Sequence, residues 1–288
     1  MDMADYLRQV VTWFACDIGA RTYRDLDRLE RTATFISEQF ASFGYRVTRQ
    51  PFVFAGNTYH NIIAELTGSS APETLFIVGA HYDSVSTTPG ADDNASGVAG
   101  LLGLARALAG VRTERTVRFV AFALEEWPVY RSRHMASHHY ARSLKEKNER
   151  VAGMICLEMI GYFCDRVGCQ HYPFPFMNRK FPKAGNFISM VGNVRSRPFT
   201  KRISRSFQQG TDLPVVTLNA PAIVIGIDFS DHWSFGKFGY EALMVTDTAF
   251  YRNPHYHAPT DLPDTLDYAR MSKVVEGLIA AILEWGVS

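Results

Sequence analysis

Apolar residues recur along this chain in two rhythms. Residues 4–16 and 24–43 carry them at helical spacing, and in the second stretch Leu26, Leu29, Thr32, Phe35, Ile36 and Phe40 fall on one face. Gly44 ends that helix, and residues 45–54 alternate as a strand does. A turn at Gly56-Asn57 leads into a second strand over 60–66, so the pair reads as a hairpin. Three apolar runs, 73–80, 116–124 and 151–160, predict buried strands, with helices over 96–109 and 132–147 between them. Residues 162–198 are rich in Pro, Gly, Phe and Tyr without any period. They predict a long loop, which extends to 210 as an insertion, with a helix starting within 202–208. Short strands are expected at 215–218, 223–225 and 242–246, and an amphipathic helix at 264–285. Strands alternating with helices argue for an α/β sheet covered on both faces. With no linker, repeat or low-complexity segment, a single domain over 1–288 is expected.

Composition narrows the function classes. A formal net charge of +1 gives no global pull toward nucleic acid. No apolar run approaches the ~18 residues a membrane span needs. The start, MDMADYLRQVVTWF, lacks a basic stretch followed by an apolar one. The chain therefore reads as cytoplasmic, or as secreted or periplasmic if a leader has been removed, and a monomer is favoured. Cys16, Cys156, Cys164 and Cys169 are too few and scattered for a disulfide framework. Free thiols are expected, with one small loop disulfide, Cys164–Cys169, as the alternative.

The chemistry concentrates in HYDSVSTTPGADDNASG, residues 81–97, directly after the strand-like run TLFIVGA. Histidine and carboxylates in one compact segment suit zinc. In α/β sheets ligands gather beyond the carboxyl ends of strands, and further candidates sit at such ends. Glu125-Glu126 follows TVRFVAFAL, Glu158 lies late in VAGMICLEMIG, and Asp231-His232 and His257 lie in later loops. Two divalent cations about 3.5–4 Å apart can share one carboxylate. Asp93 is the natural bridge, because the glycine-rich turn lets backbone approach the metals. His81 and Glu158 would complete one metal, Glu126 and His257 the other. Glu125 would stay free to take a proton from the attacking water and return it to the leaving amine. Asp83 could hold the far nitrogen of His81, and Asp231 could do similar work.

Each of these residues also has an ordinary reading. His255 competes with His257, although the Tyr-His-x-Pro-Thr-Asp context favours His257. His134 and His138 stand one turn apart without a glutamate after the first, so a solvated helix face is the better reading. The same holds for the basic cluster Arg195, Arg197, Lys201, Arg202 and Arg205. Phe174, Phe176, Phe181 and Phe187 would serve either as a pocket wall or lid or as plain packing.

In their order and spacing, HYD, GADDNASG, the Glu pair, LEMIG, SDHWSF and YHAPTDLPDTLD resemble the zinc exopeptidases of clan MH over roughly residues 15 to 285. These include bacterial leucyl-type aminopeptidases, glutamate carboxypeptidase II-like proteins and glutaminyl cyclases. The resemblance implies a three-layer αβα fold with a central mixed, mostly parallel twisted sheet. It implies two zinc ions held by His81, Asp93, Glu126, Glu158 and His257, with Glu125 as base, and a peptide substrate cut at its N-terminus. It further implies a cis peptide at Asp93–Asn94. Glu158 stands where relatives commonly have Asp, and WPVYRSRHM replaces a glycine-containing turn after the Glu pair. SRHMA resembles the cyclase branch, so the alternative is an acyltransferase with one zinc on Asp93, Glu126 and His257. A non-catalytic binding protein on the same fold would show eroded ligands, and none is missing.

Overall fold

The apolar runs of the middle of the chain become the inner strands of one eight-stranded sheet. In the computed structural model, which describes residues 1–287, the strands are β1 (Arg46–Phe54), β2 (Asn57–Leu66), β3 (Ala71–His81), β4 (Arg115–Phe122), β5 (Arg150–Leu157), β6 (Ile188–Gly192), β7 (Val215–Asn219) and β8 (Ala242–Thr246). Their order across the sheet is β1-β2-β4-β3-β5-β8-β6-β7. The inner set β4, β3, β5 and β8 runs parallel, so its carboxyl ends meet on one edge. The β1–β2 hairpin joins β4 antiparallel, and β6 joins β8 antiparallel while pairing parallel with β7. The sheet is thus mixed and mostly parallel. Ala55 and Gly56, both at positive φ, close the hairpin.

The helices are α1 (Met3–Thr12), α2 (Leu26–Ser42), α3 (Gly97–Leu108), α4 (Ala136–Glu146), α5 (Arg197–Gly210), α6 (His232–Lys237) and α7 (Tyr268–Val287). Asp2 and Asp25 cap the first two, accepting from the Asp5 and Arg28 amides at 2.8 and 3.1 Å. Side chains along a strand alternate between faces, and β4 shows which helices lie on which. Phe119 packs against Phe40 and Tyr45 on the α2 side, whereas Phe122 meets Tyr140 of α4 and Phe235 of α6. Helices α1, α3, α5 and α7 join α2, and Phe76 of β3 reaches Phe199 of α5 and Trp285 of α7. Among the described residues no helix is long and apolar enough to cross a membrane.

Several sequence expectations need correction. The expected loop through 162–198, and the insertion to 210, contain β6 and most of α5. All of β6 is buried, so its run ISMVG has no alternation to betray it. Residues 223–225 form no strand. Val224 closes a turn onto the Pro221 carbonyl, and Ile223 is 89% exposed. Helix α4 starts at Ala136 rather than 132, because three successive turns occupy residues 126–135. Cys164 and Cys169 are bonded to each other rather than free. The turn between them, with Gly168 at φ 93°, brings their Cα atoms to 6.5 Å, which suits the bond.

Gly153 of β5 lies flat under the Phe199 ring, where a Cβ would overlap it. Gly153→Ala should therefore destabilise the protein by about 1–3 kcal/mol, read as a lower urea midpoint. An unchanged midpoint would mean that α5 is not tightly packed on the sheet.

Candidate metal centre

The shared carboxyl edge of the parallel strands collects the chemistry. His81 is the last residue of β3, Glu158 follows directly on β5, and Glu125-Glu126 lies just past β4. Asp93 sits in the turn between β3 and α3, and His257 in the loop after β8. The Asp93 turn needs a left-handed glycine at its entry. Gly90 has φ 67°, and a Cβ there would lie 2.5 Å from the Asp93 carbonyl oxygen. The Asp93–Asn94 peptide is cis. Asn94 then stitches the turn to the end of β5. Its Nδ2 donates to the Leu157 carbonyl at 2.9 Å, and its Oδ1 accepts from the Met159 amide at 3.0 Å.

Two groups of donor atoms result. His81 Nε2 lies 3.2 Å from Glu158 Oε2 and 3.6 Å from Asp93 Oδ1. His257 Nε2 lies 3.1 Å from Asp93 Oδ2 and 3.6 Å from Glu126 Oε1. Within each set, His81–Asp93–Glu158 and Asp93–Glu126–His257, the donor atoms lie within 4.8 Å of one another. Asp93 belongs to both and turns one oxygen to each. Among the described residues these are the two groupings of this kind. His255 is in neither, since its ring bonds Thr260 and stacks edge-on with Tyr162. His134 and His138 pack on Phe54 and Phe238.

Asp83 does two jobs. It accepts from His81 Nδ1 at 3.1 Å, which leaves Nε2 facing Asp93 and Glu158. It also accepts from the Glu125 and Glu126 amides at 3.0 and 3.2 Å, tying the Glu pair to β3. Asp231 is different. It is fully buried at the start of α6, and burial pushes its carboxyl up to about 7. Neither of its oxygens bonds an imidazole, so the expectation that it supports a histidine as Asp83 does is corrected. Its neighbour Ser230 supports a different donor, Glu158, donating to Oε2. That serine was not singled out in the sequence, although it stands inside SDHWSF.

The electrostatics fit a cation site. Asp93, Glu125, Glu126 and Glu158 are buried close together. Burial pushes Glu125 well above the usual carboxylate range, with Glu158 and Glu126 adding to it. Glu126 rises to about 7 through burial and the Asp93 charge. Burial works against the charged form of His257, but Asp93 and Glu126 outweigh it and lift the ring to about 10. Asp93 Oδ1, Glu125 Oε1 and Glu126 Oε1 are buried without a hydrogen-bond partner. Such groups call for bound cations, and an imidazole-carboxylate donor set suits zinc.

Beside Glu158 opens a mostly apolar pocket of about 90 Å³. Met177, Val191, Leu218, Phe229, Met244 and Tyr251 are among its walls. Residues 170–173, immediately after the disulfide, form one side. Of the four phenylalanines noted in the sequence, Phe181 lines this pocket, Phe174 and Phe176 stack on each other at the surface, and Phe187 is core.

A family model described as peptidase family M28 matches residues 61–282. An uncharacterized protein of Escherichia coli K12, YfbL, is 42% identical over 96% of this chain and 87% of its own. A probable leucine aminopeptidase of Arthroderma otae is 28% identical over 77% of this chain and 56% of its own. Among solved structures, a zinc aminopeptidase from Bacillus subtilis superposes with a TM-score of 0.76 at 16% identity, covering 99% of this chain and 95% of its own. A Porphyromonas gingivalis glutaminyl cyclase gives 0.72 at 19%, covering 98% of each chain. At such identities the superpositions speak for the fold.

Because Asp83 orients His81 from behind, Asp83→Asn should weaken zinc uptake about 10–100-fold, measured by competition with a chromogenic chelator. Unchanged uptake would show that His81 needs no such support.

Proposed function

The chain belongs to peptidase family M28, and from that premise we propose that it is a di-zinc aminopeptidase removing apolar residues from the N-termini of peptides. The single observation that carries the reading is Asp93, placed with one oxygen toward each donor set. His81, Asp93 and Glu158 would hold one ion, and Asp93, Glu126 and His257 the other. When bound, the two ions polarise the scissile carbonyl and make the attacking water acidic enough to react near neutral pH.

The remaining work falls to the protein. Glu125 belongs to neither donor set, and its Oε1 has no partner. It takes the proton from the water as the water attacks, and gives it to the amine as the C–N bond breaks. It is buried beside both donor sets, where it can serve both halves of that transfer. Glu158 faces the apolar pocket as well as His81, so the first side chain enters the pocket while the terminus stays by the carboxylates. The fit of apolar walls to apolar side chains sets the preference.

The test is an assay of aminoacyl-nitroanilides on zinc-loaded protein. Leucyl, methionyl and phenylalanyl substrates should be cleaved, and glutamyl and lysyl ones poorly. Glu125→Ala should lower kcat about 10²–10⁴-fold while retaining zinc. If wild type and Glu125→Ala are equally inert on every substrate, the proposal fails. Ammonia release from an N-terminal glutaminyl peptide would replace it with the cyclase reading.

A further inference from the structure

Two charged side chains outside the donor sets grip the turn that carries Asp93. Arg21 is fully buried, and its guanidinium donates only to backbone carbonyls. Nε reaches the Tyr82 carbonyl at 2.8 Å, one residue past His81. Nη1 and Nη2 reach those of Pro89 and Gly90 at 2.9 and 3.0 Å, at the entry of the turn. The other bonds run from Nη1 to Phe14 and Gly19. Asp261, also fully buried, takes the opposite side. Its Oδ1 and Oδ2 accept from the Asp92 and Asp93 amides at 2.8 and 3.2 Å. Thr88 Oγ1 lies 3.5 Å from Oδ2, and the Ala91 amide donates to the Asp261 carbonyl at 3.4 Å.

The turn is therefore held between a cation on its carbonyls and an anion on its amides. Each charge matches the end of the peptide dipole it touches, and such charge-assisted bonds are the stronger kind. The two grips also join separate loops. Arg21 links the end of β3, which bears His81, to Gly90. Asp261 links Asp93 to the loop that bears His257, four residues before it. A stability role alone would not require both charges to converge on the one segment whose side chain is shared by two donor sets.

We propose that Arg21 and Asp261 are positioning residues for the metal centre: they fix the Gly90–Asp93 backbone so that the Asp93 carboxylate presents one oxygen to each donor set. The proposal rests on the reading of Asp93 as the shared ligand. It implies that loosening the grip weakens both binding steps together, unlike the loss of a ligand belonging to one set.

The experiment titrates zinc into metal-free protein against a competing chelator, with thermal melting of the metal-free forms in parallel. Asp261→Asn removes the charge. Asp261→Glu keeps the charge opposite Arg21 but moves the acceptor oxygens by one methylene. Both should weaken the first and second zinc equivalents by about 10–100-fold. His257→Ala should weaken only one. Arg252→Met is the control. Arg252 is nearly as buried as Arg21 but donates to the Tyr162 and Phe187 carbonyls and to Gln170, behind the pocket wall. Its loss should lower the melting temperature and leave zinc affinity unchanged. Wild-type affinity in Asp261→Glu overturns the proposal, as does an equal loss in Arg252→Met, because affinity would then follow stability rather than position. If Asp261→Asn does not fold, Asp261→Glu decides. Wild-type protein that binds no zinc would overturn the ligand reading and the clamp with it.

Discussion

A carboxylate turned two ways is the constraint on which this structure depends. Asp93 is buried, faces His81 with one oxygen and His257 with the other, and has three more acidic side chains close by. Burying that much like charge is unfavourable unless something offsets it. The histidines and Arg21 supply part of the compensation, and the donor sets describe where cations would supply the rest. The sheet serves the same end. Four parallel strands finish on one edge, so His81, Glu126 and Glu158 arrive together from strand ends, and the loops that carry Asp93 and His257 close over them.

Around that carboxylate the parts are tied to one another rather than to the sheet alone. Asp83 couples His81 to the Glu125-Glu126 pair, so Glu125 and the two donor sets share one anchor. Asn94 links the Asp93 turn to β5 at the residue before Glu158. Ser230 reaches the same glutamate from the α6 side. The apolar pocket is built separately. It draws its floor from β6, β7 and β8 and its wall from the segment behind the Cys164–Cys169 bond. The pocket walls can therefore vary while the donor groups stay in place.

How much of this was legible in the sequence follows from what kind of signal each feature leaves. His81, Glu126 and Glu158 could be picked out because charged groups at the ends of apolar runs are conspicuous, Asp93 by its glycine-rich turn and His257 by the YHAPTD context. The parallel inner strands announced themselves by their apolar runs. Strand β6 did not, since five buried residues within an aperiodic stretch look like loop. The disulfide depends on a turn geometry that two cysteines at short spacing do not disclose. Asp231 stood beside a histidine as Asp83 stands near one, but its oxygens bond no imidazole. Arg21 left no local trace at all, because its partners at 82, 89 and 90 lie more than sixty residues away. Asp261 stood inside a recognised motif, yet its role lies in backbone amides that only the folded turn presents.

Everything proposed above turns on Asp93 being shared by two metal ions. A crystal of zinc-loaded protein measured on both sides of the zinc absorption edge tests it most directly. Two anomalous peaks about 3.5–4 Å apart, with the Asp93 carboxylate between them, are expected. A single peak on Asp93, Glu126 and His257, with His81 and Glu158 left bonded to each other, would contradict it.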